Sequence, residues 1–351
     1  MTDLAYRQFS LALAEPLETS RGPIEAREGF LIRLTDDDGG EGVGEATPLP
    51  GWTESIEDCE RAIERAREAA REEGLAGALE AVSDAPAARH GLALAALDRA
   101  ATGADTPLYR HLGGDGVERV PVNATVGDGS PDETTEDVRE AVDDGFSCCK
   151  LKAGVGSVER DVRRVRRVRE AVGADLELRL DANGAWSRAE AEQAVEALGD
   201  DVDLLEQPLS SDDLAGHADL RGRGVAVAID EGLYERGIDA VVGADAADAI
   251  VVKPMAVGGV DAGMKLAVWA RECGVVPVVT TTIDAVLART AAVHLAAAIP
   301  TEGKRPASGL ATADLLCEDL AADPVELEGG EATVPQEPGL GVAGAWGGRD
   351  A

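Results

Sequence analysis

The chain has 351 residues, of which 44% are hydrophobic and 28% charged, so it is long enough for two domains or one large α/β barrel with additions and is not a disordered polymer. Thirty-three basic residues face 67 acidic ones, a net charge of −34, which excludes a phosphate backbone or an anionic membrane as a natural partner. The longest apolar stretches, such as 291–299, are too short for a bilayer span, and the opening MTDLAYRQFS lacks a basic region followed by an apolar run, so a cytoplasmic location without nucleic-acid or membrane partners is expected.

In chain order, residues 3–13 and 27–35 alternate as strands, DDDGG at 36–40 makes a turn, and EGVGEA returns as a third strand of an antiparallel meander. A helix is predicted from Ser55, capped by Ser55 and Asp58 and stopped at Gly74; others cover 87–101 and 107–112. Strands followed by helices without alternation predict an α+β domain over residues 1–116. After Gly116 the texture changes to short apolar runs alternating with charged amphipathic helices. Seven βα units and a short eighth strand near 308–310 predict a closed parallel barrel over 117–320 rather than an open sheet, for which a GxGxxG phosphate loop is missing. The Gly/Pro-rich tail, 321–351, is expected to return onto the first domain.

Five lysines stand against 28 arginines, and aromatic residues make up only 3%. Solubility carried by Asp and Glu, with lysine avoided, suits a cytoplasm at very high salt, where the self-repulsion of a −34 chain is screened. Against that background three lysines are out of place, because Lys150, Lys152 and Lys253 end the apolar runs FSCCKLK and AIVVKP. The five cysteines are odd in number and form no CxxC, so neither a disulfide framework nor a zinc site is expected; the vicinal Cys148 and Cys149 read as core. None of the four histidines is placed in catalysis.

In a βα barrel chemistry sits at the C-terminal strand ends. There the sequence places Lys150 and Lys152, then Asp181 and Asn183 (RLDANG), Glu206 with Gln207 (LLEQP), Asp230 and Glu231 (AIDEG), and Lys253 (VVKP). The steps from Lys152 through Asp181, Glu206 and Asp230 to Lys253 are 29, 25, 24 and 23 residues, each one βα unit, so these side chains share one ring. Three carboxylates aimed at one point repel unless a cation joins them, and oxygen donors without His or Cys favour Mg²⁺, with Mn²⁺ as the alternative. Lys152 and Lys253 lie on the flanking strands and would face each other across a small-molecule carboxylate substrate. A lysine desolvated beside a dication can act as a base. The implied chemistry is removal of a proton α to a carboxylate. Singly, each acid is more simply read as a solvated turn residue; the case rests on the spacing of the set.

With these residues in place, KxK, LDAN, EQP, DE and KP at this spacing resemble the enolase superfamily, in particular its muconate-lactonizing-enzyme subgroup, over essentially the whole chain. The resemblance implies a modified (β/α)7β TIM-type barrel with an N-terminal α+β capping domain. It implies Asp181, Glu206 and Asp230 as Mg²⁺ ligands, Lys152 as acid/base and Lys253 as its opposite partner, with Lys150, Asn183 and Glu231 in support. Within the subgroup the o-succinylbenzoate synthases are most similar. Such an activity dehydrates 2-succinyl-6-hydroxy-2,4-cyclohexadiene-1-carboxylate to 2-succinylbenzoate for menaquinone biosynthesis, with the enediolate charge offset by Mg²⁺. N-acylamino-acid racemases, dipeptide epimerases and muconate cycloisomerases are the alternatives, and a non-catalytic metal-binding barrel is the alternative of another class. Dipeptide epimerases usually carry Asp-x-Asp near the last strand, where this chain reads ASGLATADLL, with Ala311 in the place of an acid. By the same resemblance Thr281 and Thr282 would hold a succinyl carboxylate. Ser20 and Arg21, together with Trp52 in PLPGW, would lie on the two substrate-closing loops. Oligomeric state is left open.

Overall fold

The computed structural model describes residues 3–17 and 23–347. The first element, β1 (Asp3–Leu17), pairs antiparallel with β2 (Ile24–Thr35), which pairs with β3 (Glu41–Ala46); both of the first two strands run longer than their alternation predicts. Helix α1 (Ile56–Ala81) starts where Ser55 Oγ accepts the Asp58 backbone N–H at 3.1 Å. At Gly74 the helix does not stop but breaks: this residue sits at φ 72°, a left-handed conformation glycine tolerates, and the chain resumes helically to Ala81. Helix α2 (Pro86–Gly103) lies directly on β3, and the glycines of EGVGEA permit it, since a Cβ on Gly44 would stand 2.0 Å from the Gly91 carbonyl oxygen. A short α3 (Leu108–His111) follows.

The run VPVNATV divides into β4 (Arg119–Pro121) and β5 (Ala124–Val126). Then come α4 (Pro131–Asp143), β6 (Cys148–Lys152), α5 (Val158–Val172), β7 (Glu177–Asp181), α6 (Arg188–Leu198) and β8 (Leu204–Glu206). They continue with α7 (Leu214–Leu220), β9 (Ala226–Ile229), α8 (Glu231–Arg236), α9 (Ile238–Gly243), β10 (Ala249–Val252) and α10 (Pro254–Val257). The last unit comprises α11 (Val260–Glu272), β11 (Val276–Val279) and α12 (Val286–Ala298). Strands β5 to β11 form one parallel sheet in sequential order, the winding of a barrel. Its two edges meet at Ser308 and Gly309, which bridge in parallel to Val122 and Thr280; this is the short eighth strand expected near 308–310.

Helix α12 is buried along its whole length, which accounts for its apolar composition on every side. One continuous core joins the barrel strands and their helices to β1 through Phe9, Leu11 and Leu13. A second fills the space between β2, α1 and α2. After the barrel, β12 (Leu327–Glu328) and β13 (Glu331–Thr333) form a small antiparallel sheet with β4. Just before the tail, Cys317 N–H donates to the Ala12 carbonyl; within the tail, the Ala345 carbonyl accepts from Arg7 and the Trp346 ring lies under Arg33. Among the described residues no helix is long and apolar enough to cross a membrane.

Candidate active site

Register brings the site together. In the parallel ladder Lys152 stands beside Asp181, and Asp181 beside Glu206. Side chains two residues apart share a face, so Lys150 and Lys152 both turn inward to the same acid. Lys150 Nζ donates to Asp181 Oδ2 at 3.2 Å and Glu206 Oε1 at 2.9 Å. Lys152 Nζ donates to Asp181 Oδ2 at 2.7 Å and Asn183 Oδ1 at 2.9 Å. Asn183 in turn donates through Nδ2 to Glu231 Oε1 at 3.0 Å. On the far side Lys253 Nζ grips both oxygens of Asp230, at 2.7 and 2.6 Å. The ring of residues predicted from βα spacing is therefore one contiguous cluster. Its two outer lysines differ in access: the Lys152 side chain is 39% exposed, that of Lys253 only 10%.

The backbone at the strand ends is bent to serve this cluster. Asn183 and Gln207 both have left-handed φ, 45° and 39°, a conformation rare for residues other than glycine and common at functional sites. The bend lets Gln207 Oε1 accept the N–H groups of Asp230 and Gly232, at 3.0 and 3.1 Å, which fixes the end of β9.

Burial works against the charge on Glu206 and Asp230. It pushes Glu206 up to about 7 and Asp230 to about 6; neighbouring carboxylates add to the shift, while Lys150 and Lys253 respectively oppose it. Asp181 is equally buried, but Lys150 and Lys152 outweigh burial and hold it well below the usual carboxylate range. Lys150 loses to desolvation but gains more from Glu206 and Asp181, so its affinity for a proton is raised.

The donor set fits a hard divalent cation: three carboxylates from adjacent strands, with no thiolate or imidazole among them. As the side chains stand, no three acid, thiol or imidazole groups among the described residues form a ready coordination shell. Ammonium groups lie on the same oxygens: Lys150 and Lys152 on Asp181, Lys150 on Glu206 and Lys253 on Asp230.

The cap reaches into the site through Trp52, whose ring centroid is 3.3 Å from Lys253 Nζ. Tyr234, on α8, meets the Trp52 ring edge-on at 5.3 Å. Its buried hydroxyl accepts the Lys253 N–H at 2.6 Å and donates to the Val251 carbonyl at 3.0 Å. Thr281 and Thr282 are both buried at the end of the seventh strand. Thr281 shares a 3.1 Å hydrogen bond with the Thr312 hydroxyl, whereas Thr282 Oγ1 turns away to Asp284. Ser20 and Arg21 lie outside the described residues. Sequence reasoning missed Tyr234 and Thr312; the one available signal is that Tyr234 is among only three tyrosines in the chain. Cys148 and Cys149 are buried core, as expected.

Residues 133–345 match the family described as Enolase C-terminal domain-like, and residues 1–99 match the MenC N-terminal domain. The L-Ala-D/L-Glu epimerase of Bacillus subtilis (strain 168) is 30% identical over 96% of this chain and 95% of its own length. The o-succinylbenzoate synthase of Thermobifida fusca (strain YX) is 38% identical over a shorter stretch, 59% of this chain and 64% of that one. Among solved structures, the dipeptide epimerase of Enterococcus faecalis V583, complexed with Mg and the dipeptide L-Leu-L-Tyr, superposes with a TM-score of 0.84 at 27% identity, covering 97% of this chain and 98% of that one. Capping sheet, parallel barrel and the matched residues lead to one conclusion: this chain is an enzyme of the enolase superfamily.

Proposed function

We propose that the protein is an o-succinylbenzoate synthase, dehydrating 2-succinyl-6-hydroxy-2,4-cyclohexadiene-1-carboxylate to 2-succinylbenzoate. In this reading Lys152, as the neutral amine, takes the proton from the carbon α to the substrate carboxylate. The resulting ammonium then returns a proton to the departing hydroxyl, so that the C–H and C–O bonds break and water leaves. Asn183 Oδ1 and Asp181 aim the Lys152 amine. Lys253, held by Asp230 and Trp52, supplies a fixed positive charge over the opposite face of the ring. Asp181, Glu206 and Asp230 would hold Mg²⁺, which when bound acts as a Lewis acid toward the substrate carboxylate. Aromatisation drives the loss of water, so the site needs a base, a cation and a closed pocket.

One observation carries the choice of substrate: the segment facing Thr281 presents the Thr312 hydroxyl and contains no Asp or Glu from Ala307 through Ala313. Neutral hydroxyls suit a succinyl carboxylate and leave a dipeptide ammonium without a counter-charge. The match of residues 1–99 to the MenC N-terminal domain supports the same reading. The second reading, epimerisation, is favoured by the near full-length similarity to an epimerase. Purified protein in molar KCl with Mg²⁺ is expected to aromatise the cyclohexadiene substrate, followed by ultraviolet absorbance, and Lys152→Ala to lose at least about 10³-fold of that rate while retaining metal binding by calorimetry. No turnover by folded, metal-loaded protein, together with deuterium uptake at the α-carbon of N-succinylamino acids or dipeptides, would establish epimerisation instead.

A further inference from the structure

Arg27 is a buried charge that the chemistry above does not use. It lies on β2 of the cap, is 2% exposed, and spends its guanidinium on backbone carbonyls of two different loops. Nη2 donates to Thr47 O at 2.9 Å and Nη1 to Pro48 O at 3.1 Å, at the start of the cap loop that carries Trp52. Nε donates to Ile283 O at 3.0 Å, directly after Thr281 and Thr282 on the barrel. Ile283 has φ 61°, and a β-branched side chain in the left-handed region is strained unless its surroundings hold it there. The opposing charges are Glu45 and Asp284, both buried. Glu45 accepts the N–H groups of Ala285 and Ala288 at 2.8 and 3.0 Å, so a cap carboxylate also closes the start of α12. Asp284 accepts the Thr282 hydroxyl at 2.5 Å. One planar donor thus bridges the loop above Lys253 and the loop bearing the threonines. A lysine, a point donor, cannot reproduce that bridge.

We propose that Arg27 is a positioning residue that ties the Thr47–Trp52 loop to the Thr281–Ile283 loop, and so sets the span of the pocket available to the part of the substrate remote from the α-carbon. This rests on the functional reading above only for the identity of the substrate. The tie itself is a property of the two loops. Its effect should fall on recognition rather than chemistry, because Arg27 touches neither Lys152 nor any of the three carboxylates of the ring.

The test uses the full chain with Arg27→Lys, Ile283→Gly and the double variant. Hydrogen exchange read by mass spectrometry needs no turnover. In Arg27→Lys the segments 47–53 and 280–284 should exchange at least about tenfold faster together, while 148–152 is unchanged. Unaltered exchange in either loop overturns the proposal. In kinetics with the cyclohexadiene substrate, Arg27→Lys should raise KM about tenfold or more with kcat within about threefold. Because Ile283→Gly removes the strain, adding Arg27→Lys to it should raise KM by clearly less than it does in the wild-type background. A purely structural role would lower the melting temperature in both backgrounds and leave KM in place, which overturns the proposal. Equal KM penalties in both backgrounds overturn it as well. If Arg27→Lys fails to fold, Arg27→Gln is read by the same exchange measurement. Wild-type protein that is folded but inactive on the cyclohexadiene refutes the synthase reading alone, since the exchange arm still decides the role of Arg27.

Discussion

Lys253 and Asp230 pose the sharpest question at the scale of single residues, because the lysine holds both carboxylate oxygens that the cation would use. Asp230→Asn weakens both claims on the site, removing a charge from the donor set and the strong partner of Lys253. The apparent Mg²⁺ requirement of this variant should rise at least tenfold; a metal titration unchanged from wild type would remove Asp230 from the ligand set. A second prediction concerns His294, buried against Tyr109 with its rings stacked 6.1 Å apart. Its Nδ1 accepts the Tyr109 N–H at 3.2 Å while Nε2 lies 3.2 Å from the Leu340 carbonyl, an arrangement that requires the neutral Nε2–H tautomer. Burial lowers its pKa from 6.5 to about 4. Above pH 6.5 folded and unfolded chains both carry neutral imidazole and the stability is intact. As the pH falls from 6.5 to 4 only the unfolded chain takes up the proton, so about 3 kcal/mol is lost across that window. Denaturant titrations of His294→Gln and wild type should therefore converge as the pH approaches 4, and parallel curves would remove His294 from the linkage.

Elements explain why so much of this was readable and where reading failed. Short apolar runs ending in Asp181, Glu206, Asp230 and Lys253, one βα unit apart, read as adjacent parallel strands, and the missing GxGxxG loop favoured a barrel over an open sheet, so the ring was legible without any knowledge of contacts. The helix start at Ser55 was legible for the same local reason, and the structure holds a fuller version of the signal at Ser130. Ser130 accepts the Glu133 N–H, and the Glu133 carboxylate accepts the Ser130 N–H at 2.8 Å, a complete capping box. Removing it in Ser130→Ala should lower stability by about 1 kcal/mol. The break at Gly74 was half legible: glycine marks the left-handed residue, but whether helix resumes depends on tertiary packing of Ala78 and Val82 into the cap core. Arg27 and Thr312 were not legible at all, and Tyr234 only through its rarity, since each matters through partners far away in sequence. The contact of α2 with β3 through Gly44 belongs to the same class. Gly44→Ala forces a methyl into the backbone of α2 and should cost about 2–3 kcal/mol by the usual penalty for overpacking, a loss visible as a lower melting temperature.

For the whole molecule the dominant fact is a charge of −34 distributed over a compact enzyme. Arginine answers part of it in ion pairs that join elements, such as Arg89 of α2 to Asp261 of α11 at 2.8 Å and Arg289 to Asp319 and Asp323 at 2.8 and 2.6 Å. The unanswered remainder repels itself in dilute buffer and is screened within roughly 3 Å at molar salt. The melting temperature should accordingly climb as KCl is raised from 0.1 to 2 M. A fall, or no change, would show that repulsion among the unanswered acids does not limit stability and that the acidic composition is no salt adaptation.

The two-residue closure at Ser308 and Gly309 has a bearing on how such a chain comes into being. A chain is made from its N-terminus onward, and until these residues emerge the ring of seven strands is a curled ribbon with two bare edges, at β5 and β11. The lysines and carboxylates of the site, with Thr281 and Thr282, would by then have been synthesised, yet the wall bearing Thr312 would still be missing. During growth the nascent enzyme therefore holds the lysines and carboxylates of the candidate site before it has a finished pocket, and the residues from Ser308 onward convert the one into the other.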